Sequence, residues 1–287
     1  MERARRIARA ATVRVRNFRA VEDVLTDLGV EPARALGDAG LPADLFSDPE
    51  RAIPFARLGR LASACVRATG RDDFGLRVGA RESATAVGLT GLVTINSATV
   101  RDALQTFITG LKITDTGAAV TLDVRGGVAS LGYSIVAPNI ESADQITDGG
   151  IAIEVNVMRQ LCGSSWSPDR VFLTRLPPRD AALFTRFFGA PVEFGAPAAR
   201  IEFSAVMLGW RVAGQSAEHH EILAPFLDKA LAEAKNESPP PSCMSACQGR
   251  ARGRRRRRAV RRRSAGPAAG CRCRSGTPAR DADASAG

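Results

Sequence analysis

Tyrosine occurs once in these 287 residues and histidine twice. So few histidines leave little from which to build a Ser–His–acid triad or an imidazole metal site. His219 and His220 are adjacent, so they cannot share a helix face, and neither has a Cys or His three or four residues away. They are expected to form a solvated first turn. A Gly-x-Ser-x-Gly elbow is missing, as are the phosphate-cradling patterns Gly-x-x-x-x-Gly-Lys and Gly-x-Gly-x-x-Gly. The longest uncharged run, Ser83–Val100, is interrupted by Ser, Thr, Gly and Asn and makes a poor membrane span. The Arg-rich start lacks the apolar segment of a secretory signal.

Cysteines are few outside the C-terminal stretch. Cys65 continues an apolar stripe with Phe55, Leu58, Leu61 and Val66, so it reads as a small core residue. Cys162 reads as the buried end of a helix. This is a reduced, cytoplasmic pattern rather than a disulfide framework. Cys243, Cys247, Cys271 and Cys273 lack both the two-residue knuckle spacing and apolar neighbours, so no zinc site is expected. The paired acids Asp72-Asp73 and Glu141 with Asp144 fall in loops or at helix starts, where capping is the simpler role. No catalytic, cofactor-binding or metal-binding residue is therefore expected, and no enzyme.

What is present divides the chain by charge. Residues 236–287 hold 13 arginines, no lysine and 3 acids, which leaves 27 basic and 27 acidic residues before them. The net charge of +10 thus belongs to the C-terminal stretch. That stretch has no Leu, Ile, Phe, Trp or Tyr and is expected to be disordered, because it cannot offset an ordering entropy of about 1–2 kcal/mol per residue. Arg254, Arg255, Arg256, Arg257 and Arg258, with Arg261–Arg263, could touch nucleic acid non-specifically. They lack aromatics for base stacking and a helix to read a groove.

The preceding residues are rich in periodic apolar pattern. Residues 1–16 are basic and weakly periodic, an expected extension. Asn17 is placed to cap a helix through Phe18, Val21, Leu25 and Leu28. Further helices are expected at Pro32–Ala39, from Phe55 to Gly70, at Asp72–Val78, at Gly88–Ile95, and after a Thr99 cap with Asp102 three residues on. The period then becomes two: Val120, Leu122 and Val124, a Gly126-Gly127 turn, then Ala129, Leu131, Tyr133 and Ile135 predict a hairpin. Ser142–Leu161 fits both a strand alternation (Ile151, Ile153, Val155, Val157) and a helical stripe (Ile146, Gly150, Ile153, Val157, Leu161); its length and Ser142 as a cap favour helix. A strand at Val171–Thr174 and a helix at Arg179–Phe188 follow. In Phe187–Phe203, Val192 and Phe194, then Ile201 and Phe203, alternate inward around a Gly195-Ala196-Pro197 break. They predict two short strands forming a sheet edge, with Glu193 and Glu202 outward. A closing amphipathic helix begins at a Ser216 cap and contains Pro225, which should kink it. The class is α+β: an N-terminal helical group, a helix-covered, mostly antiparallel sheet and a closing helix.

Five segments in register resemble the N-terminal effector-sensing domain of the AraC family of transcription regulators: AGLPADLFSDPERAIPFARLGRL, DDFGLRVGAR, GLTGLVTINSATVRDAL, FFGAPVEFGAPAARIEFSAVML and the closing helix. The resemblance covers residues 17–235. It implies a cytoplasmic domain that binds a small-molecule effector and contacts a second subunit, without catalysis. It also implies a following helix-turn-helix domain, whereas residues 236–287 show no apolar periodicity. A reading frame slipping near 235–238 would account for this, leaving a remnant of that domain out of frame; a genuine basic tail is the other reading. A stand-alone ligand-binding or interaction module, forming inhibitory mixed dimers with an intact regulator, is the alternative function. The family's effectors vary, so no binding residue carries over. The polar candidates on apolar elements are Tyr133 and Asn156, with a structural role expected for Tyr133.

Overall fold

The computed structural model describes residues 11–237. The arginine run and the four cysteines beyond Glu237 lie outside the described residues. The chain starts with strand β1 (Thr12–Arg14), which pairs antiparallel with β2 (Ala52–Pro54). Between them lie helices α1 (Ala20–Asp27) and α2 (Pro32–Asp38). Helices α3 (Phe55–Thr69), α4 (Phe74–Arg81), α5 (Leu89–Ile95) and α6 (Val100–Thr114) follow. The hairpin β3 (Ala118–Arg125) and β4 (Val128–Ile135) leads to the long helix α7 (Ala143–Cys162). Then come β5 (Arg170–Leu173), α8 (Ala181–Phe188), β6 (Val192–Phe194), β7 (Ala199–Ser204) and α9 (Ala217–Glu237).

The main sheet has the order β3-β4-β7-β5-β6 and is antiparallel except for the β5–β6 pair. The α+β expectation holds. The hairpin turns at Gly126 and Gly127, whose φ values of 57° and 82° suit the two-residue turn that matches strand twist. Thr99 caps α6 as expected: its Oγ1 accepts from the Asp102 N–H at 3.2 Å and donates to the Asp102 carboxylate at 2.7 Å. Ser216 Oγ accepts from the His219 N–H at 3.2 Å at the start of α9.

Four local expectations are corrected. Residues 11–16 are not a loose extension: Val13 and Val15 are fully buried, because β1 needs β2 as its ladder partner and carries its apolar side into the core. Asn17 does not cap α1. Its Nδ2 donates to Thr114 Oγ1 at 3.1 Å, and the N–H of Ala20 is taken by the Glu82 carboxylate at 2.8 Å. Ser142 sits at φ 46° and makes no side-chain cap to α7. The two strands of Phe187–Phe203 are not neighbours. β6 lies at the edge beside β5, while β7 crosses to pair with β4 and β5. A period of two reports burial, not partners, so the sequence could not separate these.

The core forms two clusters. One lies between the sheet and α6, α7 and α8, and includes Leu104, Leu131, Val155, Phe184 and Phe203. The other joins β1, β2 and α1–α4, and includes Val13, Leu25, Leu36, Leu61 and Phe74. Tyr133 packs against both. The clusters are drawn together where α4 meets α7. A Cβ on Gly75 would lie 1.9 Å from the Gln145 carbonyl oxygen, and one on Gly79 would lie 2.3 Å from that of Gly149. The Gln145 side chain completes the contact, accepting from the Gly75 N–H at 2.8 Å and donating to the Asp72 carbonyl at 2.9 Å. Just beyond, Arg175 reaches the buried Asp148 of α7 at 2.6 Å and also donates to the Asp72 carbonyl at 2.7 Å.

Backbone cannot yield as a side-chain tip can. Gly75→Ala should therefore push α4 off α7 and cost about 1–3 kcal/mol or more, the range for overpacked cores. Urea denaturation of the variant beside the parent checks this, and a change under 0.5 kcal/mol would refute the tight contact.

Candidate functional site

A cavity of about 110 Å³ lies at the seam of the two clusters. Phe18, Val21, Leu61 and Phe74 wall it from one side, and Val87, Phe107, Leu111 and Val120 from the other. Helix α7 adds Ile146, Gly150, Ile153 and Glu154, a run at helical spacing. Gly150 is needed here, since a Cβ would lie 2.7 Å from the Tyr133 ring. The absence of that Cβ lets the ring stand flat against α7 and form part of the wall.

Few polar groups reach this space. Among the described residues its polar lining is Asn17, Asp115, Tyr133, Gln145 and Glu154, with no lysine, arginine or histidine. Gln145 is committed to helix packing. Asp115 Oδ1 accepts from the N–H groups of Gly117 at 2.7 Å and Ala118 at 3.1 Å, and burial pushes its pKa up to about 6 against them. Glu154 is 1% exposed, and neither carboxylate oxygen has a hydrogen-bond partner. Burial drives its pKa well above the usual carboxylate range, because ionising it in an apolar wall forfeits hydration with nothing in return. Asn17 Oδ1 is likewise buried and unpartnered. Its orientation is fixed chemically: the Thr114 hydroxyl donates to the Leu111 carbonyl at 3.3 Å, so it must accept from the Asn17 amide nitrogen. The Tyr133 pKa is raised well above 10, by burial first and then by the charges of Asp115 and Glu154.

Of the two polar candidates taken from the sequence, Tyr133 lines the cavity and Asn156 does not. Asn156 Nδ2 donates to the carbonyls of Gly79, Ala80 and Glu82, closing the C-terminal end of α4. Glu154 went unrecognised. The signal was a lone acid inside the apolar run Ile151–Val157; a strand reading turns it outward, but a helical one places it beside Gly150 and Ile151.

The remaining candidates have structural partners or none of chemical interest. Asp72 Oδ2 accepts from the Arg179 N–H at 2.9 Å. Burial alone would raise the pKa of Asp73, but Arg71 and Arg77 outweigh it and hold the group below its usual value. Glu141 lies 3.9 Å from Arg60, and Asp144 is in reach of the Gln145 amide at 3.4 Å. Glu193 pairs with Arg170 on the surface, and Glu202 pairs with Arg200, both half-buried. Burial pushes the thiol of Cys65 up to about 12 and that of Cys162 to about 11, which suits packing rather than reactivity. His219 and His220 stand on the first turn of α9. Among the described residues no group of three or more His, Cys, Asp or Glu could hold a metal ion, and no helix is long and apolar enough to cross a membrane.

The buried acids have a measurable consequence. Asp115, Glu154 and Asp148 (pushed by burial up to about 7 despite Arg175) all have folded pKa values above their unfolded ones. The native state therefore holds more protons than the unfolded chain, and stability should fall as pH rises from about 4 through 7. Glu154→Gln removes one such charge at nearly constant shape. It should raise the melting temperature at pH 8, change it little at pH 5, and flatten the slope between. A variant less stable than the parent at pH 8 would mean that Glu154 has a partner in the fold.

Comparison with known proteins agrees with the architecture. Residues 29–212 match the family model of the arabinose-binding domain of AraC transcription regulators, N-terminal. Among solved structures, the transcriptional regulator CdpR from Pseudomonas aeruginosa superposes with a TM-score of 0.56 at 15% identity, over 76% of this chain. The likeness spans 65% of the CdpR chain, short of two thirds of its length. No curated protein sequence matches. The family model spans well over half of the chain, and the protein belongs to the family defined by the N-terminal arabinose-binding domain of AraC transcription regulators.

Proposed function

We propose that this chain senses a small-molecule effector on behalf of transcription, as a cytoplasmic regulatory domain and not as an enzyme. The observation that carries the reading is the cavity: set between two cores, mostly apolar, and lined by Glu154 and Asn17, whose carboxyl and amide oxygens have no partner in the fold. Ligand sites have this composition, and a buried acid without partners calls for an explanation that a bound molecule would supply. The pocket has neither a nucleophile with its base nor a metal cluster among the described residues, so binding is the chemistry it supports.

The same reading assigns the sensing role to residues 17–235, with β1 as part of the same core. It takes residues 236–287 as an out-of-frame remnant of the helix-turn-helix domain, on the strength of their composition: 13 arginines and no Leu, Ile or aromatic residue. Sequence-specific operator binding is then absent from this chain, and any contact of Arg254–Arg258 with nucleic acid is non-specific and salt-sensitive. The nucleotide sequence tests this directly. One of the other two frames beyond codon 235 should encode amphipathic helices; if neither does, the remnant idea is wrong. A footprint on a defined operator that survives high salt would likewise overturn it.

Self-association belongs to the proposal as well. Ile222 and Phe226 are 55% and 61% exposed on α9, one turn apart. Exposed apolar residues on one helix at this spacing favour an interface with a second copy or with an intact regulator in a mixed dimer. Light scattering should give a dimer that Phe226→Glu converts to monomer. Effector binding is tested by thermal shift across a metabolite set, since a ligand at 100 times its dissociation constant adds about 2.7 kcal/mol.

A further inference from the structure

The unpaired atoms of the cavity share one character. Asn17 Oδ1 is an acceptor, Glu154 Oε1 and Oε2 both become acceptors once that carboxyl ionises, and Asp115 adds a carboxyl group whose Oδ1 alone is used by backbone N–H groups. Two acids and no base line the space. A bound carboxylate or phosphate would find no cation there and would face the acids at close range. A neutral hydrocarbon would leave all of these oxygens dry. A protonated amine offers what is missing, a positive charge with up to three N–H donors on a compact head. The Tyr133 ring supplies an aromatic wall that also favours a cation.

We propose that the effector is a small organic ammonium ion without an acidic group, received by Glu154 and Asn17 with its apolar body between Phe18, Phe74 and Phe107. This deepens the sensor reading of the same cavity and rests on it. The volume sets the scale: a 150 Å³ apolar cavity holds the six carbons of benzene, so about 110 Å³ suits a body of roughly four or five non-hydrogen atoms.

Recognition carries a proton balance. Burial favours the neutral carboxyl form of Glu154 in the empty domain. An amine with a pKa near that of lysine, about 10, arrives as the cation. Its ammonium converts the Glu154 carboxyl to carboxylate, and that proton leaves to solvent. Asp115 and Tyr133 are the other titratable groups lining the cavity. Affinity for the cation should therefore rise with pH while affinity for a neutral analogue stays flat.

Butylammonium, 1-butanol and butyrate, near in shape and different in charge, test this on the full chain by calorimetry. Butylammonium should bind at least tenfold more tightly than 1-butanol at pH 8 and release close to one proton, measured in two buffers of different ionisation enthalpy. Glu154→Gln should erase the preference yet keep 1-butanol binding, which shows the pocket intact. Butyrate binding as tightly as butylammonium, or a preference that survives Glu154→Gln, overturns the ammonium assignment and leaves the sensor reading standing. If none of the three probes binds and no metabolite stabilises the chain, the sensor reading falls together with it.

Discussion

The structure depends on two helices touching backbone to backbone. Gly75 and Gly79 on α4 press on the Gln145 and Gly149 carbonyls of α7, at distances no side chain could share. That contact fixes the height of α7 above the β4 strand, and with it the place of Gly150, Ile153 and Glu154. It also joins the helical group to the sheet, which otherwise have separate cores. A seam closed by backbone is rigid along its line and leaves room where the helices are no longer flush. The cavity lies there.

Much of this was legible in advance. The hairpin, the Thr99–Asp102 cap, the α+β order and the apolar stripes of α3 and α6 follow from period and capping chemistry, which act within a few residues. What failed was non-local. The partner of β7 is β4, with α7, β5, α8 and β6 between them in the chain, and no local pattern encodes that choice. β1 looked too basic to be core because Arg14 and Arg16 flank Val13 and Val15; their charges are met by Glu50, far along the chain. Glu154 was hidden by the same limit. In sequence it is one acid among apolar neighbours; only the fold shows that its two oxygens are left without partners.

The contrast between Asp148 and Glu154 shows how one helix uses burial in two ways. Six residues apart on α7, both are almost fully buried. Asp148 has Arg175, itself held over the Phe184 ring, so its charge ties α7 to the end of β5. Breaking such a pair leaves a stranded charge and is costly. Glu154 is stranded already, inside a cavity instead of against a partner. The first group is architecture and the second is a vacancy in the hydrogen-bonding of the fold.

Tyr133 is the one ring common to both cores, and Gly150 lets it lie against α7. Packed interiors respond to a push by shifting between discrete arrangements rather than by yielding smoothly. A molecule that displaces this ring therefore cannot be accommodated on one side alone. The single tyrosine of the sequence is thus a packing element shared by both halves, and a change in its size or position is felt in the two cores at once.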